Sequence, residues 1–190
     1  MKVGTKSVLF GVHQFLWHPI TVLFAWIELY GLPNWKELAC IFVHDLGYWG
    51  KPNMDGEEGE KHPEWGAQWA FDHLDNRCYP YSMVFDPFVY YELCMYHSRT
   101  TASKYGVNPS KLCWADKLSI KYDPWWFYIL RARLTGEINE YRRDAISKIG
   151  TIRESSTDRE WFAWARERGM RAAMDQNPAS AYELEDKHAV

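Results

Sequence analysis

Proline marks the helix starts of this chain. His18-Pro19, His62-Pro63, Asp86-Pro87 and Asn108-Pro109 each put a proline in a first helical turn, where its missing amide would have no intrahelical partner. Pro19 opens a predicted helix through Tyr30, ended by Gly31, and Asn34 with Glu37 forms a capping box for one from about Trp35 to Asp45. Further helices are expected from His62 to about Leu74, from the Asp86-Pro87 cap to His97, and from the Asn108-Pro109 cap through Lys117 to about Lys121. Helical patterns then cover 124–134, 137–149 and 157–173. The glycine-rich stretch 47–61 reads as a loop, and no stretch alternates with period two. The expected fold is all-α: one bundle-like domain over 1–175, with a polar, frayed tail at 176–190.

Composition narrows the function. A hydrophobic content of 47% with 17% aromatics excludes a disordered chain. The eleven tryptophans must mostly pack inside or line a cleft. A net charge of −3 supplies no basic field, so duplex nucleic acid is not an expected partner. Residues 8–31 are apolar enough to consider as a span, but His13, Gln14, His18 and Glu28 within them favour buried core helices and no membrane. Cys40, Cys78, Cys94 and Cys113 show no C-x-x-C spacing and no secretory signal precedes them, which reads as reduced thiols in a cytoplasmic protein.

The chemistry gathers at helix ends. In "IFVHDLGYWG" (41–50) an apolar helix face runs into His44 and Asp45, and a carboxylate beside apolar surface is costly unless compensated. His18 and His62 lie at helix starts, His97 at a helix end, and Asp116 inside the helix opened at Pro109. Any one of these could merely cap its helix. Side chains at the ends of different helices can also converge on one point. Imidazole and carboxylate without thiolate suit Mn, Fe, Co, Ni or Zn.

The order of these residues resembles the HD superfamily of metal-dependent phosphohydrolases over about residues 13–121. The likeness rests on "HPITVLFAWIELYGLPNWKELACIFVHD" (18–45), "HPEWGA" (62–67), "YHSRTTASKYG" (96–106) and "CWADKLS" (113–119). High tryptophan content and short length resemble small HD proteins of bacteriophages. The resemblance implies an HD helical bundle with additional C-terminal helices. It makes His18, His44, Asp45 and Asp116 ligands of one divalent metal, with Asp45 bridging to a second held by His62 and His97. A carboxylate has two oxygens and can span two cations. One or two ions, with Mn or Fe favoured and Co, Ni or Zn compatible, would activate water for attack on phosphorus.

Several positions depart from the family pattern. Tyr48 stands where many relatives have lysine, and Ser98 follows His97 where others have a second histidine. The second metal then completes its shell with water, or the site holds a single metal. No Glu-Asp follows "HDLG", which disfavours alarmone substrates. His13 is a rival to His18 as first ligand, its other reading being a packed core imidazole. Arg99 offers a bidentate grip on phosphate, and Lys117 a cation near the rim. Lys51, Lys61 and Lys104 read as solvated charges, and "DGEEGEK" (55–61) as a solvated lid without metal-binding Glu57, Glu58 or Glu60. Tyr48, Trp49, Tyr96, Trp114 and the "PWWFY" run (124–128) are candidates to stack a base, with core packing as the alternative. The expected function is hydrolysis of a phosphoester or phosphoanhydride in a nucleotide or nucleotide-derived small molecule, with Asp45, Arg99 and Lys117 as catalytic groups. The alternatives are a dinuclear-iron oxygenase and a non-catalytic nucleotide-binding protein. A homo-oligomer is compatible with each.

Overall fold

The computed structural model describes residues 1–75, 88–149 and 156–176. Among them the α-helices are α1 (Val3–Phe10), α2 (Trp17–Tyr30), α3 (Trp35–Val43), α4 (His62–Ala70), α5 (Val89–Met95), α6 (Arg99–Tyr105), α7 (Lys111–Ser119), α8 (Trp125–Thr135), α9 (Glu137–Ile149) and α10 (Asp158–Asp175). No strand occurs among the described residues, so the fold is all-α. No helix among them is long and apolar enough to cross a membrane, and the apolar stretch 8–31 is broken between α1 and α2.

Local chemistry explains most helix starts. Asn34 Oδ1 accepts the Lys36 and Glu37 amides at 2.9 and 3.0 Å, while the Asn34 amide donates to Glu37 Oε2 at 2.8 Å. That is the expected capping box on α3. Pro63 lies in the first turn of α4, and Pro19 in that of α2. Thr157 and Glu160 form a second capping box on α10.

Other boundaries differ from the sequence reading. α3 stops at Val43, with His44 as its C-cap and Asp45 leading into a 3-10 turn, Leu46–Tyr48. Gly47 lies in that turn, where a Cβ would come 2.0 Å from the His62 carbonyl oxygen, so glycine is what lets the turn pack against the start of α4. α4 ends at Ala70 and continues as a π turn, Phe71–Asp75. Buried Asp75 accepts the Tyr90 and Tyr91 amides at 3.1 and 2.7 Å, serving the start of α5 from a distance. The expected Asp86-Pro87 cap, Cys78 and the tail beyond residue 176 lie outside the described residues. α7 opens after Ser110 rather than at Pro109, because the Ser110 amide and hydroxyl are engaged by the carbonyls of Tyr96 (2.9 Å) and Leu93 (2.8 Å) at the end of α5. α1 and α6 were not expected. Both are short, and helices of that length are held by tertiary contacts rather than by propensity.

Two apolar cores carry the fold. Val22, Trp26, Ile41, Ala67, Leu112 and Leu118 join α2, α3, α4 and α7 in the larger one. Val12, Ile129, Ile138, Trp161 and Phe162 join α8, α9 and α10 in the smaller. α10 belongs to both, since its Ala172 and Ala173 enter the larger core. A third cluster packs Met54 against Val8 and Tyr48, which anchors the loop 47–61 just ahead of the acidic stretch 55–61, whose Asp55, Glu57, Glu58 and Glu60 are exposed.

The turn before α2 is clamped from both sides. Arg131 of α8, buried, donates through Nη1 to the carbonyls of Gly11 (3.1 Å) and Val12 (3.0 Å) and pairs with Asp123. Fully buried Glu137 of α9 accepts the Val12 amide at 3.1 Å. Helices beyond residue 121 therefore position the chain that carries His13 and His18.

Candidate metal centre

The two oxygens of Asp45 face two sets of imidazoles. Oδ2 lies 3.0 Å from His18 Nε2 and 3.2 Å from His44 Nε2, and His18 Nε2 lies 3.2 Å from Asp116 Oδ1. Oδ1 lies 3.5 Å from His62 Nε2 and 3.3 Å from His97 Nε2. The ligand-type atoms of His18, His44, Asp45 and Asp116 lie within 4.8 Å of one another, as do those of Asp45, His62 and His97. These buried groups can hold a metal ion. Five helices supply them: the first turn of α2, the ends of α3 and α5, the first residue of α4, and the interior of α7.

Hydrogen bonding at the far ring nitrogens sets the near ones. His44 Nδ1 donates to the Ile41 carbonyl at 2.8 Å, His62 Nδ1 to the Gly59 carbonyl at 2.8 Å, and His97 Nδ1 to the Cys94 carbonyl. A carbonyl only accepts, so each Nδ1 carries a proton and each neutral ring turns a lone pair at Nε2 toward Asp45. Metal-binding imidazoles show this arrangement. His18 Nε2, His44 Nε2 and Asp45 Oδ2 are buried without hydrogen-bond partners, as expected of atoms that share a cation instead. The donor set, imidazole nitrogen and carboxylate oxygen, fits a metal ion.

Electrostatics agree. Burial and the neighbouring His97 hold His62 well below the usual imidazole range, which keeps it neutral. Burial opposes the charge on Asp45, but His44, His13 and His18 outweigh it and hold the carboxyl well below its usual range. Burial likewise opposes charge on Asp116, and Lys117 and His18 prevail. In the metal-free protein burial works against a charged His18, yet the close Asp116 and Asp45 carboxylates raise it to about 9.

The remaining expected residues fall into distinct places. His13 belongs to neither ligand group. Its Nδ1 contacts Ser7 Oγ at 3.1 Å and Glu137 Oε1 at 3.4 Å, and its Nε2 stands 3.9 Å from Asp45 Oδ2. It is not a packed core imidazole either, because it is half-buried on the pocket wall. Arg99 and Lys117 line the same pocket, of about 160 Å³. Lys117 is not a free cation: its Nζ lies 2.7 Å from Asp116 Oδ2. Among the described residues no carboxylate pairs with the Arg99 guanidinium. Lys51 pairs with Glu58, and Lys61 with Glu57 and Glu58. Lys104 is exposed on α6. Of the acidic loop, Asp55 and Glu60 reach the pocket wall, without joining either ligand group.

The aromatics expected to stack a base are mostly committed elsewhere. Tyr48 stacks on His62 at 3.9 Å between ring centroids, and Trp114 is buried in the core. Tyr96 packs near Tyr105, Trp49 and Trp126 are exposed, and Trp125 lines a separate cavity with Phe162 and Met170. Only Tyr128 of the 124–128 run faces a cavity that adjoins the site, together with Tyr141, Trp161, Trp164 and Arg168. Sequence reasoning missed those four, as it missed Ser7 and Glu137. The α10 residues could have been found from their spacing: Trp161, Ala165, Arg168 and Ala172 recur at helical period, with an arginine in an otherwise apolar stripe.

Compared with protein-family models, with curated proteins and with solved structures, the chain matches none.

Proposed function

We propose that this chain is a metal-dependent phosphohydrolase of the HD type, cleaving a phosphoester or phosphoanhydride bond in a nucleotide or nucleotide-derived small molecule. One observation carries the reading: three imidazoles, each with Nδ1–H given to a backbone carbonyl, point their Nε2 lone pairs at the two oxygens of a single buried aspartate. When bound, divalent ions at such a site supply Lewis acidity and lower the pKa of water. His18, His44, Asp45 and Asp116 would hold one, and Asp45, His62 and His97 a second. Arg99, half-buried and without a carboxylate partner among the described residues, suits the fixed-fork recognition of phosphate oxygens and offsets charge that develops on them. Lys117 acts by holding Asp116. The buried free thiols of Cys40, Cys94 and Cys113 support a reducing, cytoplasmic setting.

Phosphate release is to be measured from a panel of nucleotides, dinucleotides and cyclic dinucleotides with Mn²⁺ under strict anaerobiosis, in ¹⁸O-labelled water. Hydrolysis predicts undiminished turnover without O₂ and label in the phosphorylated product. A need for O₂, with label taken from ¹⁸O₂, would instead make the chain an oxygenase. Binding without turnover would make it a sequestering protein.

A further inference from the structure

The pocket at Asp45 opens into a second, larger cavity of about 430 Å³. The two share a wall made by His13, Tyr48, Asp55, Arg99, Thr100 and Lys117. The far side comes from α8, α9 and α10, all outside the part of the chain that carries the ligand-type residues. Tyr128, Tyr141, Trp161 and Trp164 make it aromatic. Tyr141 and Trp161 lie nearly parallel, 6° apart in plane, and the buried Arg168 guanidinium sits 4.9 Å from the Trp164 ring centroid.

Three features point to what this cavity takes. Its volume falls within the roughly 300–1,000 Å³ typical of small-molecule sites. Trp161, one of the residues lining this wall, is only 4% exposed, and its buried Nε1–H has no hydrogen-bond partner. A buried indole N–H ordinarily finds an acceptor, so one is expected from a ligand. Finally, Arg168 and Asp144 bring opposite charges to the far wall, which suits a neutral ring better than a further phosphate.

α10 is set here by close packing. A Cβ at Gly169 would lie 2.9 Å from the Lys117 carbonyl oxygen, so glycine lets α10 approach α7 and brings Trp164 and Arg168 to the rim of the site.

We infer that the cavity walled by α8, α9 and α10 binds the planar heteroaromatic ring of a phosphorylated ligand of mononucleotide size, with Trp161 and Trp164 as its specificity-determining residues and the phosphate turned toward Arg99. The placement of the phosphate rests on the phosphohydrolase reading. A ring acceptor would take the Trp161 N–H, and the ring face would lie along the indoles, where stacking is tolerant of base identity.

Calorimetry on the full chain with its metals in place tests this without turnover. The probes are the 5′-methylenephosphonate analogue of adenosine, in which carbon replaces the ester oxygen, and the matching ribose analogue lacking the base. The base-bearing probe should bind about tenfold tighter or more. Trp164→Ala, at a half-buried position and checked for native helicity, should cut that preference to about twofold or less and leave the ribose probe unchanged. Trp161→Phe keeps a ring, removes the N–H, and should weaken only the base-bearing probe, by about threefold or more. Equal affinities for the two probes, or an undiminished preference in both variants, would overturn the inference. Ring-dependent binding with no phosphate release from the panel would sink the hydrolase reading and leave the ring site standing; hydrolysis without ring preference would do the reverse.

Discussion

His62 Nε2 and His97 Nε2 lie 3.0 Å apart, and both rings give their Nδ1 proton to a backbone carbonyl. Two neutral imidazoles so arranged oppose lone pairs at close range, which is favourable only when a proton or a cation sits between them. A metal is the simpler occupant, because burial already disfavours a proton on His62. Purified protein should carry about one to two equivalents of a first-row transition metal by elemental analysis. Asp45→Ala should lose most of it, and His62→Ala or His97→Ala should retain about one equivalent. Full metal content in a folded Asp45→Ala variant would remove the site.

His18 and His13 separate by the same measurement. His18 Nε2 contacts both Asp45 and Asp116, whereas His13 spends Nδ1 on Ser7 and Glu137. His18→Ala should lower metal content at constant helicity, and His13→Ala should not. The opposite result would exchange their roles.

The metal-free protein should show a pH signature. His18 is raised from 6.5 to about 9 by Asp116 and Asp45 against the cost of burial, so its contribution is complete below about pH 6.5 and is lost as pH rises through about 9. Asp45 and Asp116 are held low, so theirs is present above the ordinary carboxylate range and lost as pH falls below it. Denaturant midpoints after chelation should therefore peak between these limits and fall on either side. Metal uptake below pH 9 should release protons, and affinity should rise with pH over that range. A flat midpoint from pH 6 to 10 would contradict the assignment.

Glu137 braces the turn that carries His13. Its fully buried carboxylate accepts from Ser7, the Val12 amide and Thr135 in buried contacts and from Tyr141 in a half-buried one. Glu137→Ala strands those donors and should cost about 3–5 kcal/mol in chemical denaturation. Because Glu137 is held below its usual range, by His13, Ser7 and Thr135 against burial, its contribution should fade as pH falls and not as it rises.

Arg99→Ala should slow phosphoryl transfer by roughly 10–10³-fold while metal content stays unchanged. Unaltered turnover would dismiss Arg99 as the phosphate clamp.

The sequence by itself determined what is local. A proline needs no amide in a first turn, and Asn34 with Glu37 caps a helix within four residues, so the starts of α2, α3 and α4 were legible, as was the all-α class. His18, His44, His62 and His97 could be picked out as histidines at helix ends, with Asp45 beside His44, whereas Asp116 inside its helix, and the set as a whole, came from the resemblance. Their convergence was not legible. It depends on close backbone approaches: Gly47 against the His62 carbonyl, Gly66 against His44, where a Cβ would lie 3.1 Å from the backbone, and Gly169 against Lys117. Around them α3 ends at Val43, and the two oxygens of Asp45 face different imidazoles. His13 owes its place to Glu137, and the aromatic cavity to α10, both far along the chain. A side chain carries its chemistry wherever it stands, but which atoms it meets is decided by how closely helices pack, and only the folded structure sets that.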